Sequence, residues 1–217
     1  MAFNLCKLPA DEFLKLCKTL PVADVRSPGE YLTGHIPGSV NIPLFDDSQR
    51  AEVGTLYKQE GNAMAVMRGI DLAAPEMSDK LRAGLNLAAG GRLLPAPGTD
   101  DRGTVPATPD TEAAGRLLVY CWRGGLRSEA MAWLFSLGGI EPLVLKGGYK
   151  AYRNHILNEL GSERRYIILG GLTGSGKTGI LRYMKSAGEQ VTDLEGLASH
   201  RGSAFGALGQ APQPSSE

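Results

Sequence analysis

Val119-Tyr120-Cys121-Trp122-Arg123-Gly124-Gly125-Leu126-Arg127-Ser128 joins a predicted strand to a predicted helix and marks the centre of an α/β architecture. The apolar run from Leu117 to Tyr120 is typical of a parallel strand buried on both faces. From Leu126 to Leu137 the apolar residues follow helical spacing. Cys121 is therefore predicted on the turn between strand and helix.

That position favours a reactive thiolate. Backbone N–H groups of a glycine-containing turn that opens a helix converge on one point, where the helix dipole adds partial positive charge. Arginines beside the cysteine add to this field, which predicts a lowered pKa for the Cys121 thiol. We expect Cys121 to be catalytic, and Ser128 to cap the following helix. The residues predicted to support the loop are two cations, two glycines and a hydroxyl: Arg123, Arg127, Gly124, Gly125 and Ser128.

Three interpretations of this loop stay open at this point. Cys121 could be a buried cysteine without chemistry, although packing alone does not require two glycines and two arginines beside it. Rhodanese-type sulfurtransferases carry a persulfide on such a cysteine, whereas cysteine phosphatases carry a phosphoryl group. The spacing from Cys121 to Arg127 is that of the phosphatases, but Tyr120 stands where their signature usually has His. The spacing alone does not choose between the two chemistries.

Composition indicates an ordinary globular protein. The 217 residues are 42% hydrophobic and 21% charged. The basic and acidic side chains number 23 each, so the net charge gives no indication of a nucleic-acid partner. The three cysteines form neither a disulfide framework nor a metal-ligand spacing, which suits a reducing compartment. Neither a signal peptide nor a membrane span is recognisable. We therefore expect a soluble cytoplasmic protein without a membrane partner.

Strands and helices are predicted to alternate along the chain, which predicts a parallel sheet flanked by helices. Residues 90–115 combine glycine and proline without periodicity and are predicted to form a flexible surface excursion. The predicted strands are 22–25, 117–120 and 142–145, and the predicted helices are 11–20 with Cys17 in the core, 48–59 capped by Ser48, 63–87, 126–137 and a last one ending near Leu160.

A second motif follows a predicted strand at Tyr166–Gly170. Gly171-Leu172-Thr173-Gly174-Ser175-Gly176-Lys177-Thr178 matches G-x-x-x-x-G-K-[ST] and precedes a predicted helix at 178–186. Its glycines let backbone N–H groups surround a phosphate, Lys177 neutralises charge, and the Thr178 hydroxyl can ligate Mg²⁺. A glycine-rich turn with nothing bound is the alternative. The residues predicted to bind phosphate are Gly171, Gly174, Ser175, Gly176, Lys177 and Thr178.

The chain beyond this motif predicts only the start of a P-loop α/β domain. Residues 190–195 are predicted as its next strand, with Asp193 or Glu195 reaching a metal or acting as a base, and surface placement as the alternative. A domain boundary is expected at 161–163, so that residues 1–160 form one domain and 164–217 an incomplete P-loop domain. No protein-only metal site is predicted.

Two stretches ahead of the cysteine loop resemble the N-terminal signatures of rhodanese domains. They are Asp24-Val25-Arg26-Ser27-Pro28-Gly29-Glu30-Tyr31 and Gly34-His35-Ile36-Pro37-Gly38-Ser39-Val40-Asn41-Ile42-Pro43. Asp24 and Arg26 can fix the end of a strand by hydrogen bonds, and His35 is expected to be a structural, hydrogen-bonded histidine. The resemblance implies a rhodanese-like fold for residues 1–160 and favours sulfur-type chemistry over phosphatase chemistry.

A rhodanese module joined to a P-loop module resembles the tRNA 2-selenouridine synthase family. Further strings carry this resemblance: R-A-E-V-G-T-L-Y-K-Q from Arg50, L-K-G-G-Y-K from Leu145 and D-L-E-G-L-A-S-H-R-G-S-A-F-G from Asp193. Residues 90–115 depart from the family pattern, and the family's P-loop domain continues further than Glu217. On this resemblance we expect a C-terminally truncated member, which leaves its activity open.

The resemblance implies a transferase that converts wobble 2-thiouridine of tRNA into 2-selenouridine. The thio group is geranylated with geranyl diphosphate, and selenophosphate supplies selenium. Cys121 matches the family's rhodanese cysteine and is implied to handle the chalcogen, while residues 171–178 are implied to hold the diphosphate or another phosphorylated substrate. The substrates implied are tRNA, selenophosphate and geranyl diphosphate, with Mg²⁺ as a metal that Thr178 can ligate.

Three alternatives to this function remain. The chain could be a rhodanese-type sulfurtransferase whose P-loop is not used, a cysteine phosphatase, or a non-catalytic phosphate-binding module.

Overall fold

Five parallel strands organise the first of two units. The computed structural model describes residues 5–90, 115–163, 165, 167–172, 174–202 and 205–214. Its two units are Met1–Gly161 and Ser162–Glu217. Cys121, the predicted active-site cysteine, lies in the first unit. The predicted phosphate-binding loop, residues 171–178, lies in the second unit.

The sheet places the cysteine loop at the end of a central strand. The strands are β1 (Cys6–Leu8), β2 (Val22–Asp24), β3 (Val40–Asn41), β4 (Arg116–Tyr120) and β5 (Glu141–Leu145). Their order is β1-β5-β4-β2-β3, and every neighbouring pair is parallel. Because β4 pairs with β2 on one side and β5 on the other, its carboxyl end is held from both sides. This confirms the predicted parallel α/β fold.

Helices of the first unit cover both faces of this sheet. They are α1 (Ala10–Leu16), α2 (Pro28–Thr33), α3 (Asp47–Gln59), α4 (Asn62–Ala73), α5 (Met77–Ala88), α6 (Leu126–Leu137) and α7 (Gly148–Leu160), with a 3₁₀ turn at Ala74–Glu76. Side chains of β4 alternate between two cores, because successive residues of a strand point to opposite faces. Val119 and Cys121 pack with Met131 and Phe135 of α6, whereas Leu118 and Tyr120 pack with residues of α1 and α7.

Three helix boundaries differ from the sequence prediction. The first helix ends at Leu16, and Cys17 is half-buried against the core rather than inside a longer helix. Asp46, not Ser48, caps α3, because its carboxylate accepts from the Gln49 amide at 2.7 Å while the Gln49 side chain accepts from the Asp46 amide. The single helix predicted at 63–87 is divided into α4 and α5 at Pro75, which lacks the N–H that a helix interior requires.

The second unit contains two described helices, α8 (Lys177–Ser186) and α9 (Leu194–Leu197). The strands predicted at 166–170 and 190–195 are wrong for the described residues: 167–170 and 190–193 have no strand partner, and α9 starts at Leu194. Ile167 and Ile168 are 100% and 89% exposed, so this apolar run has no neighbouring strand to pack beside. Tyr166 lies outside the described residues.

The surface excursion predicted at 90–115 lies, except for its two end residues, outside the described residues. None of the helices in the described ranges combines the length and the hydropathy of a bilayer crossing.

The Cys121 loop as a candidate active site

Cys121 follows the last residue of β4, and its sulfur is buried against the first turn of α6. The residue is 3% exposed, and its Sγ lies 3.2 Å from the Ser128 hydroxyl oxygen and 4.0 Å from the Gly125 carbonyl oxygen. Within residues 121–128, all of which the structure describes, no amide donates to the sulfur. The sulfur of Cys121 therefore accepts no amide hydrogen bond within these residues, and the predicted convergence of N–H groups on one point stays a prediction.

Ser128 is the polar partner of the sulfur rather than a helix cap. It is the third residue of α6, and Gly125 precedes the helix without a side-chain cap. The Ser128 hydroxyl donates to the Gly125 carbonyl at 2.9 Å, which leaves its oxygen free to accept from the Cys121 thiol. When the thiol loses its proton, the same hydroxyl can rotate and donate to the thiolate. Ser128 is fully buried, so this hydrogen bond operates away from water.

A second loop, after β5, supports the cysteine loop from behind. The amide of Tyr149 donates to the Cys121 carbonyl at 2.8 Å, and the amide of Lys150 donates to the Trp122 carbonyl at 3.1 Å. Gly148 has φ +62, and a Cβ there would lie 2.3 Å from the Cys121 carbonyl oxygen. A Cβ on Gly124, whose φ is +66, would lie 2.5 Å from the Leu145 carbonyl oxygen. Only glycine allows the two backbones to approach this closely.

The role of this second loop is not predicted from the sequence. Gly147 and Gly148 follow directly after β5, the strand that pairs with β4. Because parallel neighbours end at the same edge of a sheet, a double glycine after one strand could have indicated close packing against the loop after the other.

Asp24 and Arg26 form a buried ion pair beside the aromatic residues of the loop, as predicted. Both are fully buried, and Arg26 Nη2 donates to Asp24 Oδ2 at 2.6 Å and to the Gly34 carbonyl at 2.6 Å. The guanidinium carbon lies 4.1 Å from the ring centroid of Tyr149 and 5.9 Å from that of Trp122. Burial alone would lower the pKa of Arg26, but the Asp24 carboxylate outweighs it and raises that pKa. The pair fixes the end of β2 next to the end of β4.

His35 is a structural residue, as predicted. Its Nδ1 lies 3.0 Å from the Tyr31 carbonyl oxygen, and its ring stacks on the Tyr31 ring with centroids 4.0 Å apart. The neighbouring segment is fixed to β4 by Tyr120, whose hydroxyl accepts from the Ile36 amide at 3.1 Å and lies 3.0 Å from Ser39 Oγ. Burial, followed by the charge of Asp24, raises the pKa of this tyrosine.

The two arginines predicted to act together have different environments. Arg123 is exposed and has no hydrogen-bond or ion-pair partner among the described residues. Arg127 donates from Nη1 to Glu30 Oε2 at 2.6 Å and from Nη2 to Glu30 Oε1 at 3.4 Å. Its charge is therefore compensated by a carboxylate of α2. The sequence predicts that Arg127 adds to the positive field at Cys121, and the Glu30 carboxylate offsets part of that contribution.

The two other cysteines differ from Cys121. Cys6 is exposed on β1. Cys17 is half-buried, and burial raises the pKa of its thiol to about 11. At neutral pH Cys17 is therefore a protonated, weakly nucleophilic thiol.

The P-loop motif of the second unit has the backbone geometry of an anion-binding turn. Gly174 and Gly176 both have φ +82, a left-handed conformation that turns successive N–H groups to one side. A Cβ on Gly171 would lie 2.9 Å from Ser175 Oγ, so a side chain there would require the Ser175 hydroxyl to move. Helix α8 begins at Lys177, so Thr178 lies in its first turn. Thr173 lies outside the described residues.

Lys177 is held within its own loop. Its Nζ donates to the Gly171 carbonyl at 2.8 Å and to the Leu172 carbonyl at 2.9 Å. These carbonyls keep the ammonium over the loop, where a bound phosphate would meet it. The glycines, the lysine and the hydroxyl of Thr178 therefore fit a phosphorylated ligand with its Mg²⁺.

The acidic residues after the P-loop are engaged locally. Asp193 caps α9, with its carboxylate accepting from the Gly196 amide at 3.1 Å, instead of ending a strand beside the loop. His200 Nδ1 accepts from the Gly202 amide at 3.0 Å. The part of the chain that the structure describes holds no cluster of three or more His, Cys, Asp or Glu able to bind a metal.

Comparison with known proteins identifies both parts of the chain. The rhodanese-like domain family matches residues 9–66, and the family described as the tRNA 2-selenouridine synthase AAA domain matches residues 164–217. The tRNA 2-selenouridine synthase of Bdellovibrio bacteriovorus is 40% identical over 201 residues, and that of Cupriavidus necator is 41% identical over 196 residues. Over most of its length the chain is therefore similar to tRNA 2-selenouridine synthases. These alignments cover 91% and 88% of this chain but 46% of each relative, so the chain spans about half the length of the synthases it matches.

A solved structure shares the fold over most of this chain. The N-terminal domain of a putative ATP/GTP binding protein from Clostridium difficile 630 is 31% identical, with a TM-score of 0.53. The match covers 71% of this chain and 99% of that domain.

Proposed function

We propose that this chain takes part in converting 2-thiouridine to 2-selenouridine at the wobble position of tRNA. In the first step the sulfur of thiouridine attacks C1 of geranyl diphosphate, diphosphate leaves, and the base loses its N3 proton. In the second step the selenium of selenophosphate attacks C2, and geranyl thiol departs with the electron pair and a proton. Water then releases phosphate from selenium.

Alkylation explains why two steps are needed. A thiocarbonyl sulfur is a poor leaving group, whereas an S-alkyl sulfur can depart as a thiol. The P-loop of the second unit is suited to the first step, because its left-handed glycines and Lys177 can hold the diphosphate while it leaves. Mg²⁺ bound through Thr178 would supply further charge stabilisation there. The Cys121 loop is assigned to selenium handling in the second step.

One observation carries the assignment of Cys121. Its sulfur lies at the carboxyl end of the central strand, 3.2 Å from a fully buried hydroxyl, in a chain whose relatives are named tRNA 2-selenouridine synthases. Ligands of open parallel sheets bind beyond the carboxyl ends of the strands. A buried thiol with one polar partner at that place is suited to present a chalcogen under protection from water.

Mass spectrometry of wobble nucleosides tests this function. The chain is incubated with thiolated tRNA, geranyl diphosphate and selenophosphate, and we expect 2-selenouridine to form. Cys121→Ser is expected to lower its yield by a factor of about 100 or more, because the second step needs the selenium of selenophosphate to be held against C2 beside the Cys121 sulfur. Cys17→Ser is the matched control and should retain activity.

The same assay separates the two steps. Lys177→Ala should abolish S-geranylation, while a synthetic S-geranylated tRNA should still be converted to the selenium product. Formation of 2-selenouridine by Cys121→Ser at the wild-type rate would contradict the role of Cys121. Geranylation by Lys177→Ala at the wild-type rate would contradict the role of the P-loop.

A rhodanese-type sulfurtransferase is the second candidate, because the rhodanese-like family match covers residues 9–66. In that reaction the Cys121 thiolate takes the outer sulfur of thiosulfate, releases sulfite, and passes the sulfur to cyanide as thiocyanate. Thiocyanate formation that requires Cys121, without any selenium product, would favour this candidate.

A further inference from the structure

The cysteine loop and the loop after β5 carry exposed cations. Residues 121–128 and 145–153 contain arginine and lysine but no aspartate or glutamate. Arg123, Lys146 and Lys150 are exposed, and none of their side chains has a hydrogen-bond or ion-pair partner among the described residues. The chain as a whole has no net formal charge, so positive charge is concentrated at this edge of the sheet.

The carboxylates beside the cysteine loop do not neutralise these cations. Glu30 is bonded to Arg127 at 2.6 Å. Glu129 is bonded to Lys7 at 2.7 Å. Helix α7 has no acidic residue in its first turn and carries Lys150 there instead, although a helix dipole favours acidic side chains at that end. The unpaired cations are therefore available to an anion from outside the chain.

Backbone contacts bring the three cations together. The Lys150 amide donates to the Trp122 carbonyl at 3.1 Å. A Cβ on Gly148 would lie 2.7 Å from the Arg123 amide nitrogen, so these two residues are direct neighbours. Lys146 lies two residues before that glycine. The cations are therefore on adjoining loops at the end of the central strand.

Trp122, which follows Cys121 directly, offers an aromatic face on the same loops. Its side chain is half-buried, and its ring centroid lies 5.7 Å from that of Tyr149. The Tyr149 ring in turn lies 5.5 Å from that of Tyr152. Packing thus fixes the tryptophan ring, while part of it stays accessible. An accessible aromatic ring beside unpaired cations is the combination that binds single-stranded RNA, because bases stack on the ring and phosphates contact the cations.

From this arrangement we infer that the cysteine loop and the loop after β5 bind the single-stranded anticodon loop of tRNA, through Arg123, Lys146, Lys150 and Trp122. The cations contact backbone phosphates, and an unpaired base stacks on the ring, which holds the wobble nucleotide at Cys121. Cations spread over two loops match a run of phosphates, whereas one small anion such as selenophosphate needs donors that converge on one point. The inference rests on the proposed function, to which it adds the residues that bind tRNA.

Fluorescence anisotropy with a labelled anticodon stem-loop RNA tests the inference on the full chain. Arg123→Gln, Lys146→Gln and Lys150→Gln should each weaken binding about fivefold at low salt. Each should also reduce the slope of log affinity against log salt concentration by about 0.7, because one phosphate contact is lost. Trp122→Leu should weaken binding about tenfold and leave that slope unchanged, because stacking involves no phosphate.

Two other positions of the first unit serve as matched controls. Lys18 is exposed without a side-chain partner among the described residues, and it lies shortly before β2, at the opposite edge of the sheet. Trp133 is 44% exposed on α6. Lys18→Gln and Trp133→Leu should leave the RNA affinity and its salt dependence at the wild-type values. A duplex RNA of the same length should bind more weakly than the stem-loop and should not respond to Trp122→Leu.

Each outcome decides the inference. Wild-type RNA affinity in the variant with all three cations replaced by Gln would overturn it, as would equal affinity of the wild type for stem-loop and duplex. A raised KM for selenophosphate in that variant, with unchanged RNA affinity, would overturn it too and assign the cations to the small substrate. If Trp122→Leu does not fold, the cation variants, which change only exposed side chains, decide alone. RNA binding that depends on these residues without formation of 2-selenouridine would support the inference and count against the proposed function.

Discussion

The chain contains two strand–loop–helix sequences, and they adopt different structures. In the first unit, Leu117 to Tyr120 are fully buried between β2 and β5, and the loop that follows rests on Gly148. In the second unit, Ile167 and Ile168 are exposed, and no atom lies within 4 Å of a Cβ placed on Gly174 or Gly176. An apolar run becomes a strand only where neighbours complete its hydrogen bonds.

This difference shows which site depends on tertiary packing. The P-loop obtains its shape from left-handed glycines and a helix start, which are local features. The Cys121 loop is held by β5, by the loop that follows β5, by α2 and by the buried Asp24–Arg26 ion pair. These elements come from distant parts of the chain. Changes in the core should therefore alter the cysteine site first.

Both tryptophans, Trp122 and Trp133, belong to the first unit, so their fluorescence reports its unfolding.

The largest effect on this unit is expected from Arg26→Met. The substitution leaves the Asp24 carboxylate buried without its partner, which costs about 3–5 kcal/mol. Urea unfolding followed by tryptophan fluorescence should show a correspondingly lower midpoint. Arg68→Met removes an exposed pair with Glu52 and should leave the unfolding midpoint nearly unchanged, because water screens exposed ion pairs. Equal effects of the two variants would show that the Asp24–Arg26 pair does not support the sheet.

Glycine substitutions sharpen the comparison between the two loops. Gly148→Ala adds left-handed strain and places a Cβ 2.3 Å from the Cys121 carbonyl oxygen, so we expect a loss of about 2–4 kcal/mol and a changed Cys121 alkylation rate. Gly176→Ala adds strain without a clash, with an effect on the tryptophan transition below about 1 kcal/mol. Gly54→Ala in α3, where a Cβ has open space, should be neutral or stabilising by up to about 1 kcal/mol. Similar effects of Gly148→Ala and Gly54→Ala would contradict the conclusion that the loop after β5 supports the cysteine loop.

The smallest effect is expected from acid. Because the folded-state pKa of Glu30 is below its unfolded value, its contribution to stability is present above the unfolded pKa of about 4.3 and is lost as pH falls through the folded value. Glu30→Gln should therefore be less stable than the wild type by on the order of 1 kcal/mol near neutral pH, with the gap closing below about pH 4. Urea unfolding at several pH values measures this gap. A gap that stays constant with pH would show that Arg127 and its neighbours do not perturb Glu30.

The parts that the sequence predicted well depend on short-range patterns. The helix predicted from Leu126 to Leu137 is found with those bounds, since its apolar spacing and the glycines before it agree. Asp24 and Arg26 are two positions apart and pair as expected. The strand predicted before the P-loop is wrong for its described residues. An apolar run by itself gives no information on whether a neighbouring strand exists.

The missed features are contacts between distant positions. Glu30 and Arg127 belong to α2 and α6, and neither helix pattern indicates the other. Gly148 appears as an ordinary turn glycine until β5 is placed beside β4. Cap assignment also needed geometry: Asp46 and Ser48 are both good capping residues, and only the hydrogen bond to the Gln49 amide distinguishes them.

The strand order has a consequence for how the first unit folds. β4 completes the middle of the sheet, but its partner β2 is made far earlier in the chain, as the pairing of Val22 with Leu118 shows. Closing such a long segment is entropically unfavourable and slows folding. During synthesis, β2, β3 and the helices α1 to α5 leave the ribosome before β4, the strand that joins β2 to β5. The nascent protein therefore exposes an unpaired sheet edge until Tyr120 has emerged, and this interval is when a chaperone would be of most use.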